Sequence, residues 1–347
     1  MRVGITGANG FIGNHLLRSA LAHRVHGSRP VVFLQRGSST RPFEDIPTDH
    51  YTAFWGDLLD KESLDAFISQ CDVVFHLAGF NRYWSQNPNV FLDVNLEGAK
   101  NVAEACLKHG VKKLIHVSSC VTLGASLDPT PRNEDAEFNL KGVRFPYAET
   151  KKAGEDLILS YVKERALPAV IVHPTSAIGE QDFGPTPIGK PIADISKGKW
   201  PVYVAGGACF IDVHDVVRGL WLAMERGRIG EKYLFAGENL TNQQFMTLVA
   251  ECAGVPKPKM KVPLPLLKGV AWTAEFAADR ITRKEPVLTV GMTALIGKYL
   301  YFDGSKAERE LGFKAGPAAP AIQRCIDWFR AQEATQNAAE PLLGAAQ

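Results

Sequence analysis

The stretch Gly7-Ala-Asn-Gly10-Phe-Ile-Gly13 decides the fold of this 347-residue chain. It follows directly on the apolar run Val3-Gly-Ile5 and leads into a helix-forming run that reaches Ala22. A strand, three glycines at a spacing of three and a helix form the context in which such a motif holds a dinucleotide. Gly7 permits the tight turn, Gly10 lets the main chain approach the pyrophosphate, and Gly13 lets the helix lie close to the strand. The phosphates then meet the amides and positive dipole end of a helix starting near Phe11, with Asn9 and Ile12 beside them. Further along stand Ser118-Ser119 and Tyr147-Ala-Glu-Thr-Lys151. Each signal alone recurs by chance. In this order they point to an NAD(P)-dependent enzyme.

Through the first half, short β-branched runs alternate with longer helical stretches, the pattern of a parallel sheet wrapped by helices. Strands are expected over residues 3–6, 30–34, 73–77, 114–118 and 169–173, with helices over 12–22, 63–70, 95–109 and 147–165. Beyond about Gly179 the grammar changes: prolines at 185, 187, 191 and 201, then at 256, 258, 263 and 265, break the chain. Such punctuation suits a smaller lobe whose loops shape a pocket. The fold class is therefore α/β, a Rossmann-type doubly wound parallel sheet with a smaller C-terminal substrate-binding lobe. The expected division is a dinucleotide-binding domain over 1–178 with return segments near 208–226, a mainly substrate-binding lobe over 179–330, and a flexible tail over 331–347. Residues 210–213 are expected to rejoin the main sheet, followed by a helix over 215–225.

Composition excludes several classes. A net charge of +2 argues against nucleic acid as the main partner. No stretch reaches the roughly 18 uncharged apolar residues of a membrane span, since Lys268 and Glu275 interrupt the longest candidate. The apolar run at Val3 leaves no room for a signal peptide. Six cysteines without Cys-x-x-Cys spacing predict reduced thiols, a cytoplasmic location and no metal site. A homodimer stays open.

The second strand bears on which dinucleotide is bound. An acid at its end would accept from a ribose 2′-hydroxyl and repel a 2′-phosphate. Here Gln35-Arg36-Gly37-Ser38 stands instead, with no acid until Glu44. The Arg36 fork and the Ser38 hydroxyl favour NADP(H) over NAD(H), with stacking of Arg36 on adenine as the other reading. Asp57, in Gly56-Asp57-Leu58 after an expected third strand, is placed to accept from the adenine amino group. Leu77, Ala78 and Gly79 are the small end of the fourth strand beside the nicotinamide ribose, and Pro174 and Thr175 follow the sixth.

Tyr147 and Lys151 stand one helical turn apart and point to one side. A free phenol, with its pKa near 10, is a poor base at neutral pH. The ammonium and an oxidised nicotinamide would both favour phenolate and lower that value. Lys151 can also bond the ribose hydroxyls. Ser119 can hold the substrate oxygen, where negative charge develops as hydride arrives.

The set Thr6–Gly13, Gly56-Asp57-Leu58, His76–Gly79, Asp93-Val-Asn95-Leu-Glu-Gly98, Val117-Ser-Ser119, Tyr147-x-x-x-Lys151 and Phe210-Ile-Asp-Val-His-Asp215 resembles the extended short-chain dehydrogenase/reductases over nearly the whole chain. It is most similar to their dihydroflavonol-4-reductase-like branch, and in its second half to bacterial hopanoid-associated sugar epimerase-like proteins. The resemblance implies Ser119, Tyr147 and Lys151 as catalytic residues, and Asn95 as the residue shaping the helix behind the cofactor. Departures from relatives also inform. Ala208 stands where sugar-nucleotide epimerases carry an Arg that grips the diphosphate. Cys120-Val121 stand where dehydratases carry Asp-Glu, and Cys120 reads as a small packed residue. His173 reads as a hydrogen-bonded core histidine.

Tyr83 and Trp84 follow the fourth strand, while Phe183 and Phe210 come from the second lobe. Together with Ser119 they are the candidate substrate contacts, and an aromatic pocket suits a hydrophobic carbonyl compound. The expected function is an NADPH-dependent reductase of a ketone or aldehyde, reversible as an alcohol dehydrogenase and acting on a small-molecule substrate. A sugar-nucleotide epimerase and a non-catalytic NADP-binding regulator are the alternatives.

Overall fold

The computed structural model describes residues 1–22, 31–37 and 41–344. Ser38 and Pro30 lie outside the described residues. The central sheet takes strands β1 (Val3–Thr6), β2 (Val31–Gln35), β3 (Tyr51–Trp55), β4 (Val73–His76), β5 (Lys113–Val117) and β6 (Ala169–Pro174). The chain then leaves this sheet for β7 (Ser176–Ile178), β8 (Val202–Tyr203) and β9 (Gly207–Asp212), and returns with β10 (Lys232–Phe235). The spatial order is β10-β6-β5-β4-β1-β2-β3, with every neighbouring pair parallel. Strand order reverses between β1 and β4, so a ligand crevice opens there at the carboxyl ends.

Residues of β1, β2, β4 and β6 are buried throughout. They read as largely apolar runs, broken only near their carboxyl ends by Thr6, Gln35, His76 and His173, because helices cover both faces of the sheet. On one face Leu16 and Leu17 of α1 (Phe11–Ala22) pack with Val216 and Leu220 of α7 (Val213–Arg226) over Ile5 and Phe75. On the other face, α2 (Lys61–Ile68), α4 (Gly98–Lys108) and α5 (Pro146–Arg165) bring Phe67, Cys106 and Ile158 onto Val74 and Leu114. Asp60 starts α2 by accepting from the amides of Glu62 and Ser63. The short helical turn α3 (Val90–Leu92) precedes α4.

In the lobe, β9 is the central strand. It runs antiparallel to β11 (Glu238–Thr241) and parallel to β7 and β13 (Tyr299–Leu300), while β8 pairs with β12 (Met260–Lys261). Helices α6 (Gly189–Ile195), α8 (Asn242–Ala253) and α12 (Ala318–Gly344) close a second core around Ile192, Val249 and Ile322. Thr241 and Gln244 form a reciprocal cap on α8. The remaining helices are α9 (Leu264–Ala277), the turn α10 (Val290–Thr293) and α11 (Ser305–Leu311).

One expectation is corrected. Residues 210–213 do not rejoin the main sheet: Phe210 and Ile211 sit in β9, at the centre of the lobe's own sheet. The returning strand is β10, delivered to the edge beside β6 by α7. Both runs are apolar and short, and such a run does not say which sheet edge it will join. Residues 331–344 continue helix α12.

Candidate active site

The glycine turn is shaped by close approach. Gly7 has φ +76°, and a Cβ there would lie 2.6 Å from the Ala78 amide; at Gly13 it would lie 2.0 Å from the Gly7 carbonyl oxygen. Strand, turn and helix thus approach to a distance only hydrogen allows. Thr6 ties the ends of β1 and β4 together, its hydroxyl 2.8 Å from His76 Nδ1 and accepting from the Ala78 amide. Phe11, Ile12 and Leu77 line the main cleft, of about 390 Å³, together with Pro174 and Thr175. A smaller hollow beside it is lined by Asn9, Arg36, Asp57, Leu58, Ala78 and Gly79. A glycine turn, an exposed helix start and two adjoining hollows fit an extended dinucleotide. Arg36 is exposed and lies 3.5 Å from Asp57, so the two residues expected at the adenosine end are already paired.

Pro146, with its φ preset for a first helical turn, starts α5 and places Tyr147 in that turn. The helix's positive end therefore lies by the phenol, while Lys151 follows one turn on. The Lys151 ammonium is buried and donates to the Val117 carbonyl at 2.8 Å. Burial lowers its pKa to about 8, with the Glu155 carboxylate pulling the other way. Tyr147 is shifted the other way. Burial pushes its phenol up to about 12, against the pull of a hydrogen bond with the Ser119 hydroxyl. Lowering is thus not a property of the protein alone, because Lys151 is turned to the Val117 carbonyl.

Asn95 lies in a π-helical turn over Asp93–Glu97, between α3 and α4. The turn brings its buried amide onto three partners: it accepts from the Phe80 amide at 2.8 Å and donates to the Phe80 carbonyl and to Thr150 Oγ1. One side chain so fixes the loop after β4 against α5. Single π-turns of this sort collect at functional sites.

Sequence reading overlooked Glu155. It is 1% exposed, one turn beyond Lys151, and accepts from Ser118 Oγ at 2.6 Å, from Thr122 Oγ1 at 2.8 Å and from His173 at 2.8 Å. Burial alone would raise its pKa; His173 and the two hydroxyls override this and hold it well below the carboxylate range. The spacing Tyr147, Lys151, Glu155 on one helix face was the available signal. His173 is the hydrogen-bonded core histidine expected of it. Cys120 lines the cleft but packs against Leu123, Cys209 and Phe302, and burial pushes its thiol up.

Among the proposed substrate contacts, Ser119 and Tyr83 line the cleft. Trp84 turns away and donates to Asp279 at 2.8 Å. Phe183 meets Trp328 edge-on with ring centroids 5.3 Å apart. Phe210 stacks on Phe245 at 3.9 Å inside the lobe core, which corrects its assignment to the pocket wall. An inward-facing strand position and a pocket-facing one look alike in sequence. Arg82 lines the cleft beside Tyr83, and Val121, Pro187 and Ile188 line it without having been proposed as substrate contacts. Away from it, His15, Glu180 and His214 bring ligand-type atoms within 4.8 Å of one another. Their polar atoms bond one another, with His214 2.7 Å from Glu180 Oε1, and Arg324 closes on the same carboxylate.

A seven-stranded parallel sheet with a glycine-lined first turn, and with Ser119, Tyr147 and Lys151 at its carboxyl edge, defines a Rossmann-type protein of the dinucleotide-dependent class. The chain belongs to the NAD dependent epimerase/dehydratase family, whose sequence pattern matches residues 3–236. It is 29% identical over 328 residues to sterol demethylase protein B of Methylococcus capsulatus, covering 94% of this chain and 97% of that one. A putative dihydroflavonol 4-reductase of Synechocystis is 29% identical over 332 residues, covering 94% of each. The crystal structure of gox2253 superposes with a TM-score of 0.82 at 34% identity, covering 95% of this chain and 98% of that one. The family holds oxidoreductases, dehydratases and epimerases, and its members bind NAD(P).

Proposed function

We propose that the protein is an NADPH-dependent reductase of a ketone or aldehyde on a hydrophobic substrate, reversible as an alcohol dehydrogenase. The carrying observation is the cleft itself: Ser119 and Tyr147 meet in a wall whose only charged side chain among the described lining residues is Arg82. Arg82 donates to the Pro185 carbonyl at 3.4 Å and lies 3.9 Å from Glu285. A diphosphate would meet little positive charge there, and Ala208, where an epimerase's Arg would stand, packs against the lobe core. The names of the sterol and dihydroflavonol relatives point the same way.

The glycine turn, Arg36, Asp57 and Lys151 would hold the dinucleotide, which supplies or takes up the hydride when bound. The protein's part is the proton and the geometry. Ser119 Oγ donates to the carbonyl oxygen and polarises it. Tyr147 gives its phenolic proton to that oxygen, and the positive end of α5 favours the phenolate left behind. Lys151, one turn away, stabilises the same anion. In the oxidative direction Tyr147 takes the proton back. A high phenol pKa suits reduction, because the group starts out protonated.

The test mixes purified protein and NADPH with a panel of hydrophobic ketones and follows cofactor oxidation. Turnover on several members is expected. Interconversion of UDP- or GDP-sugars without net cofactor consumption would replace this reading with the epimerase one. Tight NADPH binding with no turnover on either class would replace it with a regulator.

A further inference from the structure

Helix α9 carries an apolar face that nothing among the described residues covers. Leu266, Val270, Trp272 and Phe276 on the helix, with Ile281 just beyond it and Met260 on neighbouring β12, are between 49% and 73% exposed. Trp272 and Phe276 stack with ring centroids 5.8 Å apart, so the two largest form one plate. Isolated exposed apolar side chains need no explanation, whereas a contiguous set on one element does.

Charge identifies what covers it. Residues 256–287 hold seven Lys/Arg and three Asp/Glu, net +4, in a chain whose total is +2. The acids and the bases also face opposite ways. Glu275 bonds the Val290 amide and pairs with Arg144, Asp279 accepts from Trp84, and Glu285 faces Arg82. All three are thereby directed to the body of the protein. Lys259, Lys268, Arg280 and Lys284 are exposed and have no ion-pair partner among the described residues. An apolar plate with a Trp, rimmed by unpaired cations, matches an anionic phospholipid surface: rings enter the headgroup boundary while ammonium groups meet phosphates. With 14 residues α9 is too short to span a bilayer, and no helix among the described residues is long and apolar enough to do so.

The same helix borders the entrance to the site. Glu275 and Asp279 form one wall of a hollow whose other wall is Tyr83, Trp84 and Phe91, and Tyr83 also lines the catalytic cleft. We propose that α9 docks in the interface of an anionic phospholipid bilayer, and that a lipophilic substrate reaches the cleft from that surface past Tyr83. The docking stands on the exposed face and its charges. The substrate route rests on the reductase reading above.

Full-length protein is sedimented with phosphatidylcholine vesicles containing about 30% phosphatidylglycerol, and with phosphatidylcholine alone. Binding to the anionic vesicles is expected, at least tenfold weaker on the neutral ones and released by added salt. The combined variant Trp272→Ser, Phe276→Ser should lose at least tenfold in vesicle binding while oxidising NADPH with a soluble ketone at the parent rate. Lys259→Glu with Lys268→Glu should weaken binding with the aromatic plate intact. No binding at low salt, or equal binding by the aromatic variant, overturns the docking. So does light scattering that finds a dimer which the aromatic variant dissociates, since the face then belongs to a second copy. Vesicle binding without turnover on any ketone would refute the reductase reading and leave the docking standing.

Discussion

The ammonium of Lys151 lies 2.8 Å from the main-chain carbonyl of Val117, the last residue of β5 and two before Ser119. One hydrogen bond thereby fixes α5 to the strand end that presents Ser119. Lys151 thus holds the spacing between Tyr147 and Ser119, the proposed proton donor and carbonyl clamp.

Replacing Tyr147 with Phe keeps the ring against Phe145 and removes only the hydroxyl. The turnover number should fall by about 100-fold or more, the loss expected of a general acid, with the Michaelis constant and the cofactor Kd moving much less. Steady-state kinetics on a reduced ketone checks this. Retention of more than about a tenth of turnover, with hydride transfer rate-limiting, would place the proton donor elsewhere.

Lys151 gives a pH dependence. Its folded pKa of about 8 is below the ordinary 10.5, so the ammonium form is the one burial penalises and is lost as pH rises through about 8. Cofactor affinity measured by fluorescence titration should be flat below that value and weaken above it. Lys151→Met should be weak at every pH and nearly inactive.

Arg36→Ala should weaken NADPH by about 1.5–3 kcal/mol, nearer the lower figure for so exposed a side chain, and leave NADH almost unchanged. Calorimetric titration of both cofactors decides it. Equal losses for the two would show stacking on adenine instead of a contact to the 2′-phosphate.

Glu155→Leu should destabilise the fold by about 3–5 kcal/mol at neutral pH, because His173 and two hydroxyls lose their buried partner. The parent carboxylate has a folded pKa below its ordinary 4.5, so its stabilisation is present above that value and fades as pH falls beneath it. Urea unfolding at pH 7 and at pH 3.5 should therefore show a gap between parent and variant that narrows in acid.

Phe210→Ala should cost about 3–5 kcal/mol of stability, as expected when a stacked core ring is emptied. The Michaelis constant for the ketone should hold, because the ring lies in the lobe core and not in the cleft. A raised Michaelis constant with unchanged stability would return Phe210 to the substrate wall.

What was legible in the sequence is what is local. Gly7 to Gly13 and Tyr147 to Lys151 each form a site within one turn or one helix, so spacing alone conveys their geometry. Glu155 escaped because its partners come from two other segments, Ser118 and Thr122 from the stretch after β5 and His173 from β6. The lobe itself was legible, but its strands β8, β12 and β13 escaped because each is two residues long, too short for any period to register. The π-turn at Asn95 has no signature of its own: a bulged helix reads like a regular one until tertiary contacts select it.

The late position of β10 governs the order in which the sheet is completed. A ribosome delivers β6, a strand buried at every residue, some sixty residues before the strand that covers its edge. Until residue 235 has emerged, the nascent chain presents that open, apolar edge to other chains. No single cut yields a closed sheet together with a separate lobe, since the segment closing the one is made after the other has begun. Chaperone dependence during synthesis, and insolubility of fragments ending near residue 178, are what this connectivity entails.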